Sequence, residues 1–167
     1  TAANTANTTA NDALSKANTA QSTANNALTT DAARMSIPFT NCVDIAYGNG
    51  KFVVVRDSNV VAYSEDGINW IQISIPFNDG ASIAYGNGKF VVVNGYNSNT
   101  AAYSEDGINW TQTTMPSTDK WYHITYGDSK FVAIGGNYQS SAAAYSEDGV
   151  NWTQTTMPSN KMWTGVT

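Results

Sequence analysis

The chain has 167 residues, a formal net charge of −5 and 13% charged side chains. Its eight lysines and arginines are scattered along the sequence, which disfavours a groove for nucleic acid. No run of about 18 apolar residues is present, so no membrane-spanning helix is predicted.

A single cysteine and a single histidine exclude an intrachain disulfide and leave few ligands for a metal site. We therefore expect neither a metal nor a cofactor. Cys42 is predicted to be a small buried residue at the start of a strand. His123 occupies the repeat position held elsewhere by Asp44 and Ser82, so we expect it to pack or to form hydrogen bonds.

The first 30 residues are dominated by alanine, threonine and asparagine. Alanines recur at alternating intervals of three and four, the a/d pattern of a left-handed coiled coil over four heptads. Burying their methyl groups contributes roughly 6 kcal/mol per chain, which the poor helix propensity of the Thr and Asn residues nearly cancels. The helix is thus expected only where two or more chains pack together, and a disordered linker is the alternative. The alanines are Ala3, Ala6, Ala10, Ala13, Ala17, Ala20, Ala24 and Ala27.

Ile37-Pro38 stops helix propagation, so a coiled-coil stalk is predicted over residues 1–34 and a second domain over residues 35–167. In that domain the segment YGNGKF at 47–52 recurs at 85–90 and, as YGDSKF, at 126–131. An internal period of about 40 residues is typical of β-propeller blades.

Within the second repeat, turn residues separate four β-rich runs, and the unit closes before Met115-Pro116. Four short strands per unit again indicate a propeller blade. Three blades are predicted, and a fourth begins where residues 162–167 align with 120–125, so the chain is expected to be truncated. The four runs are Ser82–Tyr85, Lys89–Val93, Thr100–Ser104 and Asn109–Thr113.

A second motif, SEDGINW, occurs in every repeat and has the form SEDGVNW in the third. It resembles the Asp-box, or BNR repeat, of sialidase-like and photosystem-assembly-factor-like propellers, although it is one residue shorter between Asp and Trp and has Asn in place of Thr. The resemblance implies a structural turn between the third and fourth strands. Its residues would be Ser64, Asp66, Gly67, Trp70, Ser104, Asp106, Gly107, Trp110, Ser146, Asp148, Gly149 and Trp152.

If this chain were an enzyme with Asp-box blades, it would be a relative of the sialidases, but its sequence does not fit the sialidase active site. The family's active site requires three arginines, whereas this chain has only Arg34 and Arg56. The Glu-Asp pair of the motif is repeated in every unit, whereas a catalytic pair would be unique. We therefore expect no enzymatic activity.

The loops after the second strand of each unit differ between repeats and combine aromatic rings with amides. Such side chains suit sugar stacking and hydrogen bonding to hydroxyl groups. Tyr96, Asn97, Tyr138 and Gln139 are therefore the candidate glycan- or protein-binding residues.

An Ala/Thr/Asn stalk joined to such blades is similar to tail-fibre and receptor-binding proteins of bacterial viruses, which are commonly trimeric. The resemblance implies a homotrimeric virion tail component that contacts other tail or baseplate proteins and a host-surface glycan or protein, or that acts as a spacer. A bacterial cell-surface adhesin, and a fragment of a propeller enzyme whose active site lies outside this chain, are the alternatives.

Overall fold

The structure is a computed structural model that describes residues 12–22, 40–135 and 140–159. The chain divides into two compact units, Thr1–Ser36 and Ile37–Thr167. The described part of the first unit is one exposed helix over residues 12–22. No described helix has the length and apolar character needed to cross a membrane. The remaining residues of the predicted stalk lie outside the described part, so the long coiled coil stays a prediction.

The described part of the second unit contains three four-stranded antiparallel sheets, and the strand order in each sheet follows the sequence. We call them blade 1 (β1–β4), blade 2 (β5–β8) and blade 3 (β9–β12). The strands are β1 Cys42–Gly48, β2 Lys51–Arg56, β3 Val60–Ser64, β4 Ile71–Ser74, β5 Gly80–Gly86, β6 Lys89–Asn94, β7 Ser98–Ser104, β8 Thr111–Asp119, β9 Trp121–Gly127, β10 Lys130–Gly135, β11 Ala142–Ser146 and β12 Thr153–Thr156.

The blades pack face to face, and their first strands β1, β5 and β9 lie next to one another. In β6, Val91 and Val93 pack towards blade 3, whereas Phe90 and Val92 pack towards blade 1. Successive side chains of a strand point to opposite faces. A strand covered on both faces therefore needs apolar residues at every position, which explains the unbroken run FVVV.

Two details of blade 1 and blade 2 differ from the sequence-based prediction. β8 continues through Met115 and Pro116 to Asp119 instead of ending before them, because an outer strand tolerates a proline that cannot donate to a neighbour. Cys42 is exposed, not buried. It begins β1, the first strand of blade 1, and no described strand covers it on that side.

A tyrosine of one blade fits over a glycine of the preceding blade. A Cβ atom on Gly48 would lie 2.1 Å from Cγ of Tyr85, and one on Gly86 would lie 2.0 Å from Cγ of Tyr126. Each tyrosine also packs on the phenylalanine of its own hairpin, with ring centroids 4.6 Å apart for Tyr85 and Phe90. We call this contact the Tyr-on-Gly junction, and only glycine leaves room for it.

Hydrogen bonds between the first strands reinforce each junction. Asp44 Oδ2 accepts from Ser82 Oγ at 2.6 Å and from Ile83 N at 3.0 Å. One blade further, Ser82 Oγ accepts from Ile124 N at 3.3 Å. These equivalent positions thus connect all three blades near the inner edge of their sheets.

The β9–β10 hairpin has the same turn conformation as the first hairpins of the other two blades, but it has a serine where they have a glycine. Gly50 and Gly88 have φ of 73° and 74°, and Ser129 has φ of 60° at the same position. A left-handed conformation costs an L-residue roughly 1–2 kcal/mol. Replacing Ser129 by glycine would remove this cost, but part of the gain is offset because glycine loses more conformational freedom on folding.

We therefore expect Ser129→Gly to raise the free energy of unfolding by about 1 kcal/mol in urea denaturation. The reciprocal Gly88→Ser should lower it by a similar amount. If Ser129→Gly left the urea midpoint unchanged while Gly88→Ser lowered it, the strain at position 129 would be refuted.

Candidate functional site

The antiparallel blades have two distinct ends. The starts of β1, β5 and β9 lie at one end, together with the β2–β3, β4–β5 and β6–β7 connections. We call this the loop end. The first hairpin of each blade and the SEDG turns, which join the third and fourth strands, lie at the opposite end, which we call the turn end.

A cavity of about 550 Å³ opens at the loop end, within the size range of ordinary ligand sites. All three blades contribute to it, through the starts of their first strands and the adjoining connections. Its lining consists of Val43, Asp57, Asp79, Gly80, Ala81, Gly95, Tyr96, Lys120, Tyr122 and His123.

Tyr96 reaches this cavity from a loop whose backbone is fixed by a buried amide. Asn94 is only 5% exposed, and its Oδ1 accepts from Tyr96 N at 2.9 Å. Its Nδ2 donates to Thr100 Oγ1 at 2.8 Å. The Tyr96 side chain itself is 65% exposed, so its ring is available for contact while its backbone is held.

Tyr122 provides the second aromatic ring of the cavity and lies against the backbone of blade 2. A Cβ atom on Gly95 would be 3.4 Å from Tyr122 Cε1 and 2.7 Å from Ala81 Cβ. Tyr122 is 37% exposed, whereas the adjacent Trp121 is completely buried. Trp121 therefore belongs to the core and Tyr122 to the cavity wall.

Charged and polar groups surround the two rings. Asp57, Asp79, Lys120 and His123 all line the cavity. The Asp79 carbonyl accepts from Gly95 N at 2.8 Å, which ties the β4–β5 connection to the loop of Tyr96. Among residues 12–22, 40–135 and 140–159, no group of three His, Cys, Asp or Glu side chains could hold a metal ion.

The structure describes two of the four predicted binding residues. Tyr96 lines the cavity, Asn97 is exposed beside it without lining it, and Tyr138 and Gln139 lie outside the described residues. Sequence reasoning missed the lining residues Asp57, Asp79, Lys120, Tyr122 and His123. It searched the loops after the second strand, which include Asp57, for aromatic rings and amides. It did not compare the connections between blades, which supply Asp79 and Lys120, or the start of β9, which supplies Tyr122 and His123.

At the turn end, each SEDG turn is organised around its aspartate. Asp106 Oδ1 accepts from Ile108 N and Asn109 N, both at 2.8 Å, and from Ser104 Oγ at 2.9 Å. Its Oδ2 accepts from Asn109 Nδ2 at 2.7 Å, and Ser104 Oγ accepts from Gly107 N at 2.9 Å. The turns of Asp66 and Asp148 repeat the same bonds.

These donors keep the carboxylates ionised. The hydrogen bonds from Asn69 and Ile68 lower the pKa of Asp66 well below its usual range. The pKa of Asp148 is lowered in the same way, most strongly by the hydrogen bond from the Asn151 backbone. Partial burial raises the pKa of Asp106, but the bonds from Asn109 and Ile108 outweigh it, so that pKa is also strongly lowered. A carboxylate held in this way cannot serve as a general acid near neutral pH.

The tryptophans of the motif belong to the packing between blades. Trp110 packs against the cluster shared by blades 1 and 2, and Trp152 against the cluster shared by blades 2 and 3. Trp70, in blade 1, is half-buried. The glycine of the second and third turns is buried, whereas Gly67 in the first turn is exposed.

No known family profile and no curated protein matches the chain. Among solved structures, virginiamycin B lyase from Staphylococcus aureus is similar with a TM-score of 0.63 at 14% identity, over 74% of this chain and 44% of that chain. YCF48 from Cyanidioschyzon merolae has a TM-score of 0.57 at 18% identity, over 72% and 38% of the two chains. The Pan2 WD40 domain from Neurospora crassa has a TM-score of 0.54 at 6% identity, over 71% and 39%.

All three are β-propeller proteins, and the likeness shows that this chain has propeller-type blades. Their functions differ, so the fold alone assigns none to this chain. The chain spans less than half the length of each of these structures.

Proposed function

We propose that this chain is a non-enzymatic attachment component of an extended, oligomeric appendage of the bacteriophage tail-fibre type. The N-terminal segment joins the chains, as a trimer, and the Asp-box propeller blades bind a glycan on the host surface through the loop end. The observation that carries the proposal is the loop-end cavity, where two exposed tyrosines lie among polar groups.

The aromatic rings supply the apolar part of such a site. Tyr96 and Tyr122 both offer exposed ring surface in one cavity. The ring of tyrosine presents an apolar face to the C–H groups of a sugar while its hydroxyl remains hydrated. Because Asn94 and Gly95 fix the backbone and the packing behind these rings, binding requires little ordering of the loop.

The charges of the cavity favour a neutral saccharide over an acidic one. Asp57 and Asp79 place two carboxylates at the site, against the single permanent cation of Lys120. Carboxylates accept hydrogen bonds from sugar hydroxyl groups, whereas they repel a carboxylated or sulfated ligand. The net charge of −5 acts in the same direction.

We also propose that the chain is not an enzyme, and the acidic pairs of the SEDG turns at the turn end support this. The acidic pairs there are used by the fold, since Asp66, Asp106 and Asp148 accept bonds from their own turns. The neighbouring glutamates form exposed ion pairs with lysines of their own blades, such as Lys89 with Glu105 at 3.7 Å. Both carboxylates of each pair thus interact with groups of their own blade.

The test is binding to an array of neutral hexose and N-acetylhexosamine oligosaccharides. We expect the wild-type chain to bind a subset of them and Tyr96→Ala to weaken that binding about tenfold, the effect of one lost stacking contact. Tyr96→Phe, which keeps the ring, should retain most of the affinity.

Thr111→Ala is the control for position, because Thr111 lines a cavity at the turn end. It should leave binding unchanged, and all three variants should unfold at the wild-type temperature, since Tyr96 and Thr111 are exposed. Binding that survives Tyr96→Ala, or no binding to any saccharide of the array, would contradict the glycan role.

A further inference from the structure

We propose that the loop-end cavity recognises an ammonium group, so that its ligand is an amino sugar whose nitrogen is not acetylated. This inference rests on the proposed glycan role and narrows it to one class of saccharide. It is carried by two carboxylates that have no partner in the described part of the chain and that lie in one cavity with two exposed tyrosines.

Asp57 and Asp79 supply these carboxylates, and neither side chain has a hydrogen-bond or ion-pair partner among the described residues. By contrast, Asp44 and Asp119, near the starts of β1 and β9, both accept hydrogen bonds from protein donors. The ion pairs of the described part join lysines to glutamates at the turn end, and Lys120 of the cavity takes part in none of them. The charges of Asp57 and Asp79 therefore remain available for a ligand.

Backbone hydrogen bonds connect the segments that carry the two carboxylates and Tyr96. The Ser58 carbonyl accepts from Gly80 N at 3.2 Å, which joins the residues that follow the two aspartates. The Asp79 carbonyl accepts from Gly95 N, next to Tyr96 in the chain. These segments meet at the boundary between blades 1 and 2, where the described chain supplies both sides of the cavity.

A carboxylate beside an aromatic ring is a combination that binds a cation. An ammonium group donates strong hydrogen bonds to a carboxylate and is attracted to the ring face of a tyrosine. A neutral saccharide makes use of the rings but leaves the charge of both aspartates uncompensated. Two rings offer more surface than one ammonium group covers, which suits the sugar ring of an amino sugar better than the thin side chain of a lysine.

The chain itself indicates how one of these charges can be removed without changing the turn. Asp79 has φ of 66°, a left-handed conformation in which aspartate and asparagine are the most common residues after glycine. Asn41 stands at the equivalent position of blade 1 and has φ of 62°. Asp79→Asn should therefore keep the backbone and delete only the charge.

Asp128→Asn is the matched control for net charge. Asp128 is exposed in the first hairpin of blade 3, at the turn end and away from the cavity. It has φ of 46°, and its equivalents Asn49 and Asn87 have φ of 46° and 45°. The substitution thus makes the same chemical change in a turn that also accepts asparagine.

The experiment titrates the full chain calorimetrically with two oligosaccharides of equal length, one of glucosamine and one of N-acetylglucosamine, at a pH where the free amines are protonated. Acetylation removes the positive charge, so we expect the glucosamine form to bind about tenfold more tightly at low salt. Asp79→Asn should reduce this preference about fivefold and change the affinity for the acetylated form less than about twofold. Added salt should narrow the preference, because it screens the charges.

Equal affinity for the two oligosaccharides, or a preference that Asp79→Asn leaves intact, would overturn the inference. The glycan role would still stand in that case if Tyr96→Ala weakened the binding of both, whereas no binding of either would refute both proposals. A preference that Asp128→Asn reduced as much as Asp79→Asn would reflect net charge alone and would also overturn the inference. Equally tight, Asp79-dependent binding of a lysine oligopeptide would overturn the assignment to an amino sugar.

Discussion

Substituting alanine for Gly86 should lower the free energy of unfolding by more than about 3 kcal/mol, beyond the usual range for an overpacked site. The new Cβ would stand 2.0–2.3 Å from three ring carbons of Tyr126, so the ring must leave its place. Tyr126 packs on Phe131, which is completely buried in the core between blades 2 and 3. Its displacement would therefore open that core, which denaturant unfolding would detect.

Gly127→Ala is the matched control because it makes the same chemical change at the same repeat position. No atom of the described residues lies within 4 Å of its added Cβ, and its φ is not in the left-handed region. Its stability should stay within about 0.5 kcal/mol of wild type, or rise slightly through the loss of unfolded-state entropy. Equal losses at the two positions would refute the Tyr-on-Gly junction as the cause.

Asp106→Ala should cost about 2 kcal/mol at pH 7. The substitution removes the acceptor of Ile108 N, Asn109 N and the Asn109 amide. Hydrogen bonds to a charged group contribute about 1.5–3 kcal/mol each where they are buried, but solvent reaches this turn and re-solvates part of what is lost. Thermal and urea unfolding would both show the loss.

The same variant should change the response to acid. Because the folded pKa of Asp106 is strongly lowered, its stabilising contribution is present above the unfolded pKa of about 4 and is lost as the pH falls towards the folded value. The wild-type chain should therefore lose stability below about pH 4, and Asp106→Ala should lose less. The gap between the two proteins should narrow as the pH approaches 2.

Glu105→Ala is the neighbouring control. Glu105 is exposed and forms only a surface ion pair with Lys89, so its removal should cost less than about 0.5 kcal/mol. It should leave the acid response unchanged. A loss as large as that of Asp106→Ala, or an acid profile shared by all three proteins, would show that the turn bonds of Asp106 contribute little.

The repeated motifs predicted the blades because each motif determines a local structure. YGNGKF combines a hairpin turn with a strand, and SEDGINW places an aspartate where its own turn supplies the donors. Both depend on residues that are close in sequence. The three blades of the described part and the four strands of each could therefore be predicted before the structure was known.

The cavity could not be predicted in the same way, because its lining comes from distant segments. Val43, Asp79 and Tyr122 belong to different blades and meet only when the first strands stack. The exposure of Cys42 likewise depends on which segments pack against β1, which no local pattern expresses. The continuation of β8 through Pro116 depends on its outer position in the sheet.

The uniform junction has a consequence for how such a gene can vary. Tyr85 on Gly48 and Tyr126 on Gly86 are the same contact. Duplication or deletion of one repeat by recombination would therefore join two blades through the same tyrosine–glycine contact. The described segments after the second strands of blades 1 and 2 lie outside this junction and differ in sequence from each other. The array can thus change its length and its specificity independently, by exchanging whole units in one case and a few loop codons in the other.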